Sequence, residues 1–280
     1  GLVRHYYLRA LPEQGDVQIN LTEKGERDRT SHDIALDIRE MLAGLDLPAG
    51  TVLKVVEPPP GPPVLATLLA EIYGPDAETR RAVASKVRQA FEDVPFIVDV
   101  DDSFGTQADR VRIAIDQDRL EYHRVEQGDV FDTVRRLYGG TEVGYSHRGR
   151  ARYPIPIRIH LARGDMVIGE AVLATPVPAN ALPGGRGVIE LGDVVTVRRE
   201  KTSFPVFRHN GRAVEMVTGE LAGAFEAPVY GMLAVGQKIQ GMDWGPDGEP
   251  VISFHGQPED ETRPTLLWDG EWEVTWVTFR

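Results

Sequence analysis

The stretch Val111-Arg112-Ile113-Ala114-Ile115-Asp116 opens a span, residues 111–159, in which three punctuated elements and a basic loop follow one another closely. The alternation from Val111 to Ile115 predicts a short strand, because successive strand side chains point to opposite faces. Asp116 stands where a helix N-cap belongs and Asp118 suits the first turn, so a short helix carrying Leu120 and Tyr122 to Val125 is expected. A second start signal at Asp129, with Asp132 three residues on, leads into an apolar stripe of Val130, Phe131, Val134, Leu137 and Tyr138. Gly139-Gly140 stops that helix. Then come His147-Arg148-Gly149-Arg150-Ala151-Arg152 and an extended segment, Tyr153 to Ile159, whose Pro154 and Pro156 argue for an edge strand.

Toward the N-terminus, Glu57-Pro58-Pro59-Pro60-Gly61-Pro62-Pro63 is the clearest boundary, since prolines exclude helix and sheet interior. It reads as a stiff linker, with a polyproline ligand for another domain as the alternative. Next come a strand from Leu65 to Tyr73, a helix from about Asp76 to Asp93 with Val83, Val87, Ala90 and Phe91 inward, and a strand from Phe96 to Val100. A second such unit follows residue 206: strand Ala213 to Thr218, helix Ala227 to Ile239, strand Val251 to Phe254. Two βαβ halves make a ferredoxin-like fold, so the expected class is α+β, with residues 108–206 inserted between the halves. Inside the insertion, Thr175 to Gly187 reads as an exposed loop, Val188 to Leu191 and Val194 to Val197 as strands, and Arg198-Arg199-Glu200-Lys201 as a charged tip. Ahead of the prolines, Leu2 to Leu8 and Val17 to Leu21 read as a hairpin and Thr51 to Val56 as a strand. Between them a helix capped by Thr30 or Ser31 keeps Ile34, Ile38, Met41 and Leu42 on one core face.

The strand ending Ile115-Asp116, the paired helices, Gly139-Gly140, the Arg148-Gly149-Arg150 loop, Leu191-Gly192-Asp193-Val194 and Arg208-His209-Asn210-Gly211-Arg212 together resemble the second periplasmic loop of resistance-nodulation-division (RND) efflux permeases. The resemblance implies a partial first porter subdomain over 1–62 and a discontinuous, ferredoxin-like second porter subdomain over 63–107 and 207–258. It further implies an α+β docking subdomain over 108–206 and a pre-membrane segment over 259–280. On that footing the chain is a periplasmic piece of a proton-driven pump whose proton-carrying residues sit in membrane helices outside it. The full-length pump would be a homotrimer working with a periplasmic adaptor and an outer-membrane channel, while the piece itself would be soluble and monomeric. Pro62, Val64, Leu65 and Thr67 would line the substrate cleft. His147, Arg148, Arg150, Arg198 and Arg199 would meet a partner subunit's acidic groups, the plain alternative for the basic loop being a solvated turn.

Composition narrows the field independently. At 280 residues the chain exceeds a single growing core, so two or three modules are expected. A net charge of -12, from 43 acids against 31 bases, argues against nucleic acid as a partner. Without cysteine there is no disulfide framework, thiolate metal site or cysteine nucleophile. No run approaches a membrane span; Trp272, Trp276 and Phe279 form an aromatic end, either an ordinary amphipathic element or one sitting at a membrane interface.

The sequence holds no Walker A loop, G-x-S-x-G elbow, H-E-x-x-H pair or dinucleotide fingerprint, so no enzyme activity, cofactor or metal site is expected. Asp99-Val100-Asp101-Asp102 lacks the spacing of a calcium loop and reads as a solvated strand end. His5, His32, His123, His147, His160, His209 and His255 show no metal-ligand spacing, and any histidine cluster would have to be assembled by the fold. The five methionines read as packing residues, which predicts no copper(I) or silver site and places an organic substrate ahead of a divalent metal. The rival reading is a soluble ligand-binding or regulatory protein built from ferredoxin-like modules, which fold alone does not separate from a pump domain.

Overall fold

Helix α1 (Ser31–Leu42) starts in a reciprocal cap. Thr30 Oγ1 accepts from the Asp33 amide at 3.1 Å, and the Asp33 carboxylate accepts from the Thr30 amide at 3.0 Å. The structure, a computed structural model, describes residues 14–57, 64–149, 152–182, 185–223, 225, 227–245 and 248–279. The expected strand at Leu2 to Leu8 and nearly all of the proline boundary lie outside these. Val17 to Leu21 and Thr51 to Val56, expected as strands, join no ladder among the described residues. A strand needs a neighbour for its N–H and C=O groups, and none pairs with this stretch among the described residues, where Val17 is 90% exposed. Met41 is likewise 70% exposed, not on a core face; of α1 only Ala35 is buried. Charge holds this segment instead: Arg39 reaches Asp99 at 2.8 Å and the Val55 carbonyl at 2.7 Å, and Lys54 reaches Asp101 at 2.6 Å.

Strand β1 (Leu68–Tyr73), helix α2 (Ala77–Glu92) and strand β2 (Ile97–Asp102) follow. Asp76 caps α2 by accepting from the Thr79 amide at 2.8 Å. Val83, Ala84, Val87, Ala90 and Phe91 recur at helical spacing and are all buried.

In the next segment β3 (Asp109–Ile115) leads to α3 (Gln117–His123), α4 (Gln127–Gly139), β4 (Thr141–Ser146), β5 (Ile155–Ile159), α5 (Glu170–Leu173), β6 (Pro176–Leu182), β7 (Gly185–Glu190) and β8 (Val195–Lys201). Asp116 caps α3 through the Arg119 amide at 3.1 Å, and Arg124, in the left-handed region at φ 51°, ends it. Helix α4 begins two residues before Asp129, which sits in its first turn rather than at its cap. Val130 is buried, whereas Phe131, one residue along, rotates outward and is 58% exposed. Gly140 has φ 74°, and a Cβ there would stand 2.9 Å from the Ile159 carbonyl, so glycine is required where the chain turns into β4. Among the described residues the proline-bearing β5 pairs with β4 alone.

Two expectations fail in this segment. Residues 176–182 and 185–187 are not loop but strand, paired in the β6–β7 ladder, with Val177 and Ala179 buried, because proline is tolerated in a ladder that has no third strand among the described residues. The Arg198 to Lys201 run is no tip: it is the second half of β8, paired with β3 from Arg112↔Arg198 to Asp109↔Lys201. Leu120, Val130, Val172, Val177, Leu191 and Val194 form the core of this segment.

The chain then makes β9 (Phe207–His209), β10 (Arg212–Leu221), α6 (Pro228–Gln240), β11 (Val251–Ser253), β12 (Thr265–Gly270) and α7 (Glu271–Phe279). The large sheet runs β11-β12-β1-β10-β2, with β9 pairing to β10. Pairs β12·β1, β1·β10 and β10·β2 are antiparallel, the order of a split βαβ arrangement. Its fourth strand is β12, not the segment at Val251 to Phe254, which adds a short parallel edge to β12. Residues 259–280 therefore do more than run on from the domain: Leu266 and Trp268 are buried, and Trp268 stacks on Phe91 at 5.8 Å. The described residues up to Thr106 together with Phe204 onward form one compact unit, and Gln107–Ser203 form the other.

Candidate functional site

Strand β1 is buried along its whole length, yet it reads Leu-Leu-Ala-Glu-Ile-Tyr. Leu68, Ala70 and Ile72 face the helix-covered core, so Glu71 and Tyr73 fall on the other face of the sheet. Glu71 is directly opposite Leu267 of β12 and Met216 of β10, which makes Asp269, two residues beyond Leu267, its diagonal neighbour. The β9–β10 hairpin adds His209. Its turn is Asn210-Gly211, both at positive φ, 50° and 80°, which is the geometry of a two-residue hairpin turn.

At this point Tyr73 Oη donates to Glu71 Oε2 at 2.7 Å. His209 Nδ1 lies 2.6 Å from Glu71 Oε1, but without the alignment of a hydrogen bond, so this buried nitrogen has no hydrogen-bond partner. Glu71, His209 and Asp269 each bring one ligand-capable atom to within 4.8 Å of the other two. Glu273 of α7 hydrogen-bonds Asp269.

Glu71, 2% exposed, has its carboxyl pushed from 4.5 up to about 7. Burial is the main cause and Asp269's charge adds to it, while the Tyr73 hydroxyl and His209 pull the other way. Burial first, and then Glu71's acceptance of its proton, raises the Tyr73 phenol, which stays a donor. Glu273 is raised chiefly by its hydrogen bond to Asp269. Three carboxyl groups thus converge on one imidazole, and among the described residues no lysine or arginine pairs with any of the three. The arrangement can hold protons or a cation.

The residues singled out in the sequence lie elsewhere. Pro62 and Arg150 are outside the described residues. Val64 is half-buried and Leu65 60% exposed, while Thr67 spends its hydroxyl on Glu220 Oε2 at 2.5 Å. His147 and Arg148 are exposed just after β4. Arg198 and Arg199, adjacent in β8, point to opposite faces of the strand; Arg198 stands across from Arg112, beside the Arg110–Glu200 pair. The acids at the end of β2 are not solvated as expected: Asp99 pairs with Arg39, Asp101 with Lys54, and Asp102 with Arg88 at 2.6 Å. The signals that could have pointed to the cluster were an acid inside an apolar strand at Glu71 and the Asn210-Gly211 turn beside His209.

Among the described residues no helix is long and apolar enough to cross a membrane. No curated protein sequence matches the chain. Among solved structures, the chain is similar to a heavy metal efflux pump in two crystal forms. Form I gives a TM-score of 0.56 at 18% identity and form II 0.57 at 17%, each covering 76% of this chain. The chain spans only 20% of the length of either, so the likeness speaks for the fold. The sequence profile described as the AcrB/AcrD/AcrF family matches residues 5–228, and the chain accordingly belongs to that family of RND efflux transporters.

Proposed function

We propose that the chain is the periplasmic portion of a proton-driven RND exporter, in which it lines part of the substrate cleft and meets the adaptor and the outer-membrane channel. The observation that carries this reading is the family match across residues 5–228. It fits an architecture of two compact units with separate cores, suited to rigid movement of one subdomain against its neighbours during alternating access. On this reading Val64 and Leu65 face the cleft, Thr67 anchors that edge through Glu220, and proton movement is left to membrane helices outside the chain. His147, Arg148 and Arg198 supply cations to acidic groups on partners in the homotrimer or on the adaptor.

The test uses the complete gene in a bacterium lacking its own exporters. Expression should lower accumulation of a lipophilic dye or of a divalent metal salt. Because this chain has no cysteine, Arg148→Cys places a single thiol on it for cross-linking to a co-expressed adaptor. A product that does not sediment with membranes, or a thiol that captures neither adaptor nor neighbouring protomer, would overturn the reading.

A further inference from the structure

Carboxylates taken out of water must be neutralised, and several here have a guanidinium or ammonium partner: Asp99 has Arg39, Asp101 has Lys54 and Asp102 has Arg88. The group around Glu71 breaks that pattern. Its three carboxyls face one imidazole, whose buried nitrogen lacks a hydrogen-bond partner although an acceptor oxygen is 2.6 Å away. We propose that Glu71 Oε1, a carboxylate oxygen of Asp269 and Nδ1 of His209 form a binding site for a borderline divalent cation of the zinc class.

The donor chemistry selects the ion. One imidazole nitrogen with two carboxylate oxygens suits zinc and its neighbours, whereas copper(I) and silver want sulfur, and calcium or magnesium want an all-oxygen shell. The geometry is close to that needed. Donors around a tetrahedral zinc stand about 3.3 Å apart. Glu71 and His209, at 2.6 Å, need to open slightly, and Asp269, within 4.8 Å, needs to close, by side-chain adjustments of about 1.5 Å or less. Support for the ligands is already in place. Tyr73 donates to Glu71 Oε2, and the Gly270 amide donates to Asp269 Oδ1 at 2.7 Å, so each carboxylate is oriented by a protein donor of its own. Three protein donors leave a position for water or for Glu273. The His209 side chain is 36% exposed, so the ion enters past the β9–β10 hairpin.

A bound ion ties β9 to β1 and β12, and competes with protons on every group that faces it: Glu71, Asp269, Glu273 and His209, with Tyr73 remaining protonated. The site is read from side-chain geometry and goes beyond the transport reading, so titration of the chain alone decides it whatever the full-length protein exports.

The experiment is calorimetric titration of the EDTA-treated chain with zinc chloride at pH 7.5, with cobalt(II) absorption as a second readout of the ligand set. One ion per chain should bind with micromolar or tighter Kd, and affinity should fall at pH 5.5. His209→Ala and Asp269→Asn should each weaken binding about tenfold or more. Glu71→Gln, which still accepts from Tyr73 and so keeps the fold by circular dichroism, should abolish it. His32→Ala, at the other histidine–carboxylate contact among the described residues, 2.9 Å from Glu57, should leave binding unchanged. Absence of saturable binding, binding that survives both Glu71→Gln and His209→Ala, or binding lost in His32→Ala would each overturn the proposal.

Discussion

Replacing Glu71 by glutamine should make the chain more stable at alkaline pH, in metal-free buffer, although it removes an ion-pair contact. Glu71's carboxyl is held at about 7 against an ordinary 4.5, so the folded state binds its proton more tightly than the unfolded state does. The stability linked to that proton is fully present below pH 4.5, is lost as pH rises from 4.5 to about 7, and is gone above it. At ~1.4 kcal/mol per pH unit this corresponds to roughly 3 kcal/mol, with the opposing pull of Tyr73 and His209 already included in the shift. Glutamine keeps the neutral shape, and its oxygen still accepts from Tyr73 Oη. The variant should therefore match the parent at pH 4 and exceed it by about 2–3 kcal/mol at pH 8. All four tryptophans, Trp244, Trp268, Trp272 and Trp276, lie in the unit that contains Glu71, so urea unfolding followed by tryptophan fluorescence reports on that unit alone. Glu220 and Glu271, also raised by burial, titrate in both proteins and cancel in the difference. A parent–variant difference that stays constant from pH 4 to 8, or a variant less stable at pH 8, would refute the reasoning.

Gly231 lets α6 lie against the sheet: a Cβ there would meet Leu68 Cδ1 at 2.5 Å and Leu221 Cδ2 at 3.1 Å, so Gly231→Ala should cost about 1–3 kcal/mol despite its better helix propensity. A thermal midpoint equal to or above the parent's would show that the packing yields. Thr30→Ala removes the hydroxyl oxygen that accepts from the Asp33 amide, leaving the backbone half of the α1 cap, and should cost about 1 kcal/mol locally. Hydrogen exchange should speed up at the first turn of α1 and stay unchanged in β1 and β12; uniform acceleration would contradict a local effect.

Much of the secondary structure is legible from short range. The caps at Thr30, Asp76 and Asp116 and the apolar periodicity of α2 are local, because a cap needs only a side-chain oxygen and an amide three residues on. The family resemblance came from the order of such local signals. Errors fall where a residue's state depends on a distant partner. Val17 to Leu21 has strand composition but joins no ladder among the described residues, and Pro176 to Leu182 has loop composition but a partner in β7. Phe131 looked like core until the actual start of α4 set its face.

Composition and spacing settled that the chain has no thiol chemistry and no known catalytic motif, and they dispersed its histidines along the sequence. Only the tertiary structure decided that Thr265–Gly270 is the fourth strand of the sheet, and that His209, Glu71 and Asp269 meet. The physical reason is that strand pairing and the burial of a charge are set by contacts between segments far apart in the chain, to which local propensity and spacing are blind.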